Sequence, residues 1–150
     1  GENTSTLLTL IPQLGRYYLV NRSENPKILN STEKYGKFLV HNFHGRRDES
    51  VYLLCLDAKC KALCCLKVAE GDVNSANVPI RRVVELALRV NATTVILAHN
   101  HPSGVALPSP EDYAATDRAK EALATIGVVL SDHIIIADGT FVSMADSGYL

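Results

Sequence analysis

Apolar residues change their spacing several times along this chain, and each change marks an element. SVYLLCLD (50–57) is apolar at nearly every position, as expected of a strand buried on both faces. A short turn at 58–60 leads into a second strand, KALCCLKVA (61–69), and the two read as a hairpin. TTVILAH (93–99) is a β-branched strand, and VVLSDHIIIADG (128–139) supplies another. The latter ends in a turn at Asp138-Gly139 before a last short strand, TFVSM (140–144).

Helical spacing occupies the intervals. Ser31 or Thr32 caps a helix that runs to about Phe43, with Tyr35, Phe38, Leu39 and Phe43 near one face. From Pro79, a residue suited to a first turn, Val83, Leu86, Ala87 and Val90 repeat at helical spacing. Ser109-Pro110-Glu111-Asp112 opens a helix that runs to about Ile126 and stops at Gly127. Residues 5–21 are also helical in pattern, but Pro12 and Gly15 predict a break or kink near Pro12. The polar stretch 22–30, containing Pro26, reads as a linker, and 70–78 as a loop. No internal repeat or low-complexity tract is present. The order predicts class α/β (α+β), a mixed central sheet flanked by helices.

A chain of 150 residues is long enough for one domain with a substantial core. Its net charge of −1 argues against strong non-specific binding to nucleic acid, which needs an excess of Lys and Arg. Local basic patches remain at 45–47 (GRR) and 80–82 (IRR). No run approaches the roughly 20 apolar residues that span a bilayer, so no membrane partner is expected. LLTLIPQL near the start lacks the basic leader and cleavage site of a signal peptide. An initial Gly instead of Met is expected of a piece of a longer protein. Cys55, Cys60, Cys64 and Cys65 form no Cys-x-x-Cys pair. Adjacent Cys64 and Cys65 point to opposite strand faces, and the four read as small apolar filler in a reducing, cytoplasmic setting.

The chemistry concentrates in AHNHPSGVALPSPED (98–112). His99 and His101 stand two apart at a strand end, so both imidazoles leave the same face. That arrangement suits one metal ion, and zinc accepts imidazole nitrogen together with carboxylate oxygen. Pro102, Gly104 and Pro108 can turn the loop back, bringing Asp112 as a third ligand from the first turn of the next helix. Ser109-x-x-Asp112 also has the form of a capping box, with Pro110 in support. The two roles can be shared, Ser109 capping the helix while Asp112 is aimed at the metal.

His99-Asn-His101-Pro-Ser-Gly followed by Ser109-x-x-Asp112 resembles the JAMM motif of the MPN (JAB) metalloprotease family, most closely its RadC branch. DHIII (132–136) and the ending FVSMADSGYL are also similar to that branch, and the likeness covers roughly residues 30–150. The resemblance implies an MPN/JAB, cytidine-deaminase-like architecture over 29–150. Residues 1–28 are then a helical remnant and linker of a preceding helix-hairpin-helix segment. It implies Zn2+ on His99, His101 and Asp112, an oxyanion-supporting hydroxyl at Ser109, and a general base at Glu49. Asp48 is a neighbouring carboxylate, and apart from the resemblance Asp48-Glu49 reads as a solvated charge pair. Ile80-Arg81-Arg82 departs from the Pro-Arg-Glu common in relatives, which bears on partner contacts and not on the metal.

The implied activity is zinc-dependent hydrolysis of an amide or isopeptide bond in a peptide or protein substrate that the sequence does not name. The alternative is a DNA-repair-associated module that binds DNA or a repair protein without peptidase activity. A phosphodiester hydrolase fits less well, because a single His-His-Asp site lacks the two-metal clamp common in nucleases. A degenerate scaffold is disfavoured because every matched position is filled. His41 and His44 read as a solvated face, and His133 as a structural hydrogen bond or a support behind the metal ligands. The oligomeric state is left open, with the hairpin edge as a place where copies could pair.

Overall fold

A computed structural model describes residues 1–21, 27–71 and 78–150. The elements are α1 (Glu2–Asn21), α2 (Thr32–Phe43), β1 (Ser50–Leu56), β2 (Ala62–Glu70) and α3 (Ile80–Arg89). They continue with β3 (Thr94–Asn100), α4 (Pro110–Ala124), β4 (Val129–Ala137) and β5 (Thr140–Ser143). The strands form one five-stranded sheet in the order β2-β1-β3-β4-β5. Only β3 and β4 run parallel, and α4 lies between them in the chain, as a crossover requires. The expected mixed sheet with flanking helices is therefore present.

Strand β1 is buried at every position, and its alternating side chains feed two separate cores. Val51, Leu53 and Cys55 pack with Val83 and Leu86 of α3 and Leu123 of α4. Tyr52, Leu54 and Leu56 pack on the other face with Tyr35, Leu39 and Phe43 of α2. A strand covered on both faces has no polar face to present, which is why this segment shows no alternation. Cys64 and Cys65 divide between the same two clusters, and all four cysteines are free thiols.

Two expectations are corrected. Helix α1 runs through Pro12 as one element, so the break expected there as one alternative is absent. The carbonyl of Leu8, which Pro12 leaves without its helical donor, belongs to a residue exposed to 66%, so solvent can satisfy it. Pro12 also faces Gly45, where an added Cβ would stand 2.9 Å from the Pro12 Cβ, and Arg16 donates to the His44 carbonyl at 2.8 Å. The second correction concerns 22–30. Residues 22–26 lie outside the described residues, but 27–29 join the sheet rather than forming a loose linker. Ala62 N–H donates to the Lys27 carbonyl, Ile28 bridges to Lys61, and Leu29 N–H donates to the Cys60 carbonyl. Of the expected polar loop at 70–78, residues 72–77 also lie outside the described residues.

Buried Asp132 joins α2, β4 and the segment after β5. It accepts hydrogen bonds from the Tyr35 hydroxyl (2.8 Å), the Ser143 hydroxyl (2.5 Å), and the N–H groups of His133 (2.7 Å) and Ala145 (3.0 Å). A carboxylate with this many donors tolerates full burial.

Candidate metal centre

Strand β3 ends at the site. His99 pairs with Val51 of β1 on one side and Ile135 of β4 on the other, which fixes its height in the sheet. His101 N–H donates to the Ile136 carbonyl at 2.8 Å, and the chain then turns at Gly104 (φ 83°). The loop returns to Ser109, the N-cap of α4. The Ser109 hydroxyl accepts from Asp112 N–H at 3.2 Å, and Asp112 Oδ2 accepts from Ser109 N–H at 2.6 Å. This reciprocal capping box starts the helix and turns the second carboxylate oxygen, Oδ1, toward the histidines.

His99, His101 and Asp112 thus form a group able to hold a metal ion, the one such His/Cys/Asp/Glu group among the described residues. His99 Nε2 lies 2.8 Å from His101 Nε2 and 3.0 Å from Asp112 Oδ1, and His101 Nε2 lies 3.5 Å from Asp112 Oδ2. A tetrahedral zinc with bonds of about 2.0–2.1 Å needs its ligand atoms roughly 3.3 Å apart, a spacing these distances bracket. His99 and Asp112 are fully enclosed, and only His101, with 17% of its side chain exposed, opens the site to solvent.

The protonation pattern follows from the groups behind the ligands. Thr116 donates its hydroxyl proton to the Asp112 carbonyl at 2.6 Å, so its oxygen accepts from His133 Nδ1 at 2.6 Å. His133 is fully buried, and burial together with the neighbouring His99 holds its imidazole well below the usual range, hence neutral. Its Nε2 is then an acceptor, and His99 Nδ1 donates to it at 2.8 Å. His99 Nε2 is left as a lone pair. His101 reaches the same state more directly, because its Nδ1 donates to the Val105 carbonyl at 2.9 Å.

Three acceptors therefore converge with no proton assigned between them. Asp112 Oδ1 is buried and has no hydrogen-bond partner, the mark expected where a cation belongs. Burial pushes the Asp112 carboxyl up, but the adjacent His101 and His99 imidazoles, together with the Ser109 N–H, outweigh it and hold the group far below the usual carboxylate range. The Asp112 carboxylate in turn raises the proton affinity of His101 against the opposing effect of burial, so a proton there can substitute for a metal. The donor set and the orphaned oxygen both fit a divalent ion.

Glu49 lies just before β1, half-buried, and its electrostatic neighbours are His99, His101 and Asp112. Burial raises its carboxyl above the ordinary value. Asp48 is exposed and contributes its carbonyl, which accepts from Asn100 Nδ2 at 3.1 Å. Asn100 Oδ1 accepts from Ser50 N–H at 2.8 Å, so one side chain holds both ends of the 48–50 segment and with it Glu49. The sequence reading missed Asn100 and Thr116. The available signal for Asn100 was its place between the two histidines, which turns it to the opposite face of β3. Thr116 lies one turn beyond Asp112, a spacing that places both on one helix face. His41 and His44 belong to no metal-holding group among the described residues.

A family model described as RadC-like JAB domain matches residues 29–149. A UPF0758 protein of Alcanivorax borkumensis is 42% identical over 148 residues, covering 99% of this chain and 66% of its own length. A UPF0758 protein of Vibrio cholerae is 35% identical over 150 residues, covering 100% and 67% respectively. One from Aeromonas hydrophila is 38% identical over 143 residues, covering 95% and 64%. The chain spans about two thirds of the length of these curated relatives.

Proposed function

The chain belongs to the RadC-like JAB domain family, and from that premise we propose that it is a zinc-dependent hydrolase of amide or isopeptide bonds. One observation carries the reading. The buried acceptors His99 Nε2 and Asp112 Oδ1 face each other at 3.0 Å with no proton assigned between them, and His101 Nε2 closes the group. Such an arrangement is stable when a cation occupies it.

His99, His101 and Asp112 would hold the zinc, which when bound supplies Lewis-acid activation of water and of a carbonyl. The protein's own residues do the rest. Glu49 takes the proton of the attacking water and returns it to the departing amine, and a carboxyl raised by burial is the better base for that task. The Ser109 oxygen is occupied by Asp112 N–H, which leaves the hydroxyl proton to meet the carbonyl oxygen as it becomes anionic. Loss of one such donor costs about 3–4 kcal/mol in barrier. Asn100 keeps Glu49 in position through the backbone on either side of it.

Metal content by mass spectrometry, on protein purified without chelator or nickel resin, tests the reading. About one zinc per chain is expected in the native protein and none in His101→Ala. No zinc in either, even after incubation with zinc and removal of the excess, would overturn it. Glu49→Gln should retain the metal and lose turnover in a peptide-hydrolysis screen. Full activity in that variant would remove Glu49 from the role of base.

A further inference from the structure

A cleft of about 410 Å3 opens beside the metal centre and shares His101 and Asn100 with it. Its volume falls within the range of about 300–1,000 Å3 typical of small-ligand sites. Apolar lining comes from Val40, Phe43, Pro102, Ile136 and Ala137. Ionisable side chains come from two turns. The turn after α2 contributes His44, Arg46 and Arg47, and the β4–β5 turn contributes Asp138. The basic 45–47 motif noted in the sequence therefore lines the same cleft as His101.

The two arginines differ in what they already hold. Arg46 donates to Glu70 at 3.0 Å, to the Asn42 carbonyl at 3.2 Å and to the Tyr52 hydroxyl, and its guanidinium lies 4.9 Å from the Tyr52 ring centroid. It is a strut between α2 and the hairpin. Arg47 is exposed and makes no ion pair among the described residues. Its planar fork of donors matches a carboxylate.

We propose that this cleft is a subsite for a peptide segment bearing a carboxylate, which Arg47 receives with His44 beside it. The role as a substrate subsite rests on the hydrolase reading, because a segment lying there passes His101. Charge favours a peptide over nucleic acid. A nucleic-acid strand carries a phosphate every few ångströms. The cleft offers one guanidinium without an ion pair, its lining includes the Asp138 carboxylate, and the chain is net negative. A single carboxylate meets Arg47 without needing the rest of the cleft to be cationic. Its source is either an Asp or Glu side chain or the carboxyl end of a chain.

The test reads binding and not turnover, using 15N-labelled Glu49→Gln protein and amide shifts at His44, Gly45 and Gly139. The probes are blocked Ala-Ala-Glu-Ala-Ala, its Gln and Lys counterparts, the Gln peptide with a free carboxyl end, and a thymidine dinucleotide. One carboxylate probe should bind about tenfold tighter than the blocked Gln peptide, the scale of one charge-assisted hydrogen bond. The tighter of the two carboxylate probes names the source. Arg47→Glu should reverse the preference toward the Lys peptide. Equal affinity for all peptides, tightest binding of the dinucleotide, or a preference unchanged in Arg47→Glu would overturn the proposal. A carboxylate preference in a protein that takes up no zinc would remove the hydrolase reading and leave the binding site. Zinc uptake and hydrolysis without the preference would do the reverse.

Discussion

Thr116 touches no proposed ligand atom of the metal, yet its hydroxyl decides which nitrogen of His99 carries a proton. The order runs from the Asp112 carbonyl through Thr116 and His133 to His99, every link at 2.6–2.8 Å and buried. Thr116→Val keeps the shape and removes the oxygen, leaving His133 Nδ1–H without its acceptor. Metal affinity should fall about 10- to 100-fold, as for other partners standing behind metal ligands. Competition against a chromogenic chelator measures it, and unchanged affinity would show that Thr116 does not set the tautomer. The grouping of His99, His101 and Asp112 was legible from spacing because i, i+2 at a strand end and a helix first turn are local geometries. The roles of Thr116 and Asn100 were not, because Thr116 meets His133 on β4 and Asn100 meets the segment that starts β1. His133 read correctly as a hydrogen-bonding group, but its partner His99 stands 34 residues away, beyond the reach of any local pattern.

At the level of elements, the hairpin, α2, α3 and the start of α4 follow from periodicity and caps. Ser31 caps α2 and Ser109 caps α4. The two errors share a cause. Continuation of α1 through Pro12 and the pairing of 27–29 with the start of the hairpin both depend on surroundings that a local pattern does not encode. Strand order is equally non-local, and nothing in β3 or β4 taken alone announces that they run parallel. Leu39 is fully buried at the centre of the α2 face. Leu39→Ala should destabilise the fold by about 2–5 kcal/mol through lost burial and a residual cavity. Urea denaturation measures the change, and a loss below about 1 kcal/mol would mean that α2 settles into the space.

For the whole molecule, the sheet sandwiched between α2 on one side and α3 and α4 on the other carries its metal group at one end of β3. No helix among the described residues is long and apolar enough to cross a membrane. A ligand that binds only the folded state stabilises it by about 2.7 kcal/mol at a hundredfold excess over its Kd. Zinc should therefore raise the melting temperature and a chelator lower it, by several degrees for a chain of this length. Calorimetry of His101→Ala should show no response to either addition. A zinc-induced rise in that variant would place the stabilising ion elsewhere.

The capping box at Ser109 and Asp112 gives one carboxylate two tasks. Oδ2 closes the first turn of α4, while Oδ1 completes the metal group. Fraying of that turn would swing the carboxylate away from the two histidines. For a bound ion, departure and opening of the turn would then be a single kinetic event, with the residence time set by how often a helix end breathes.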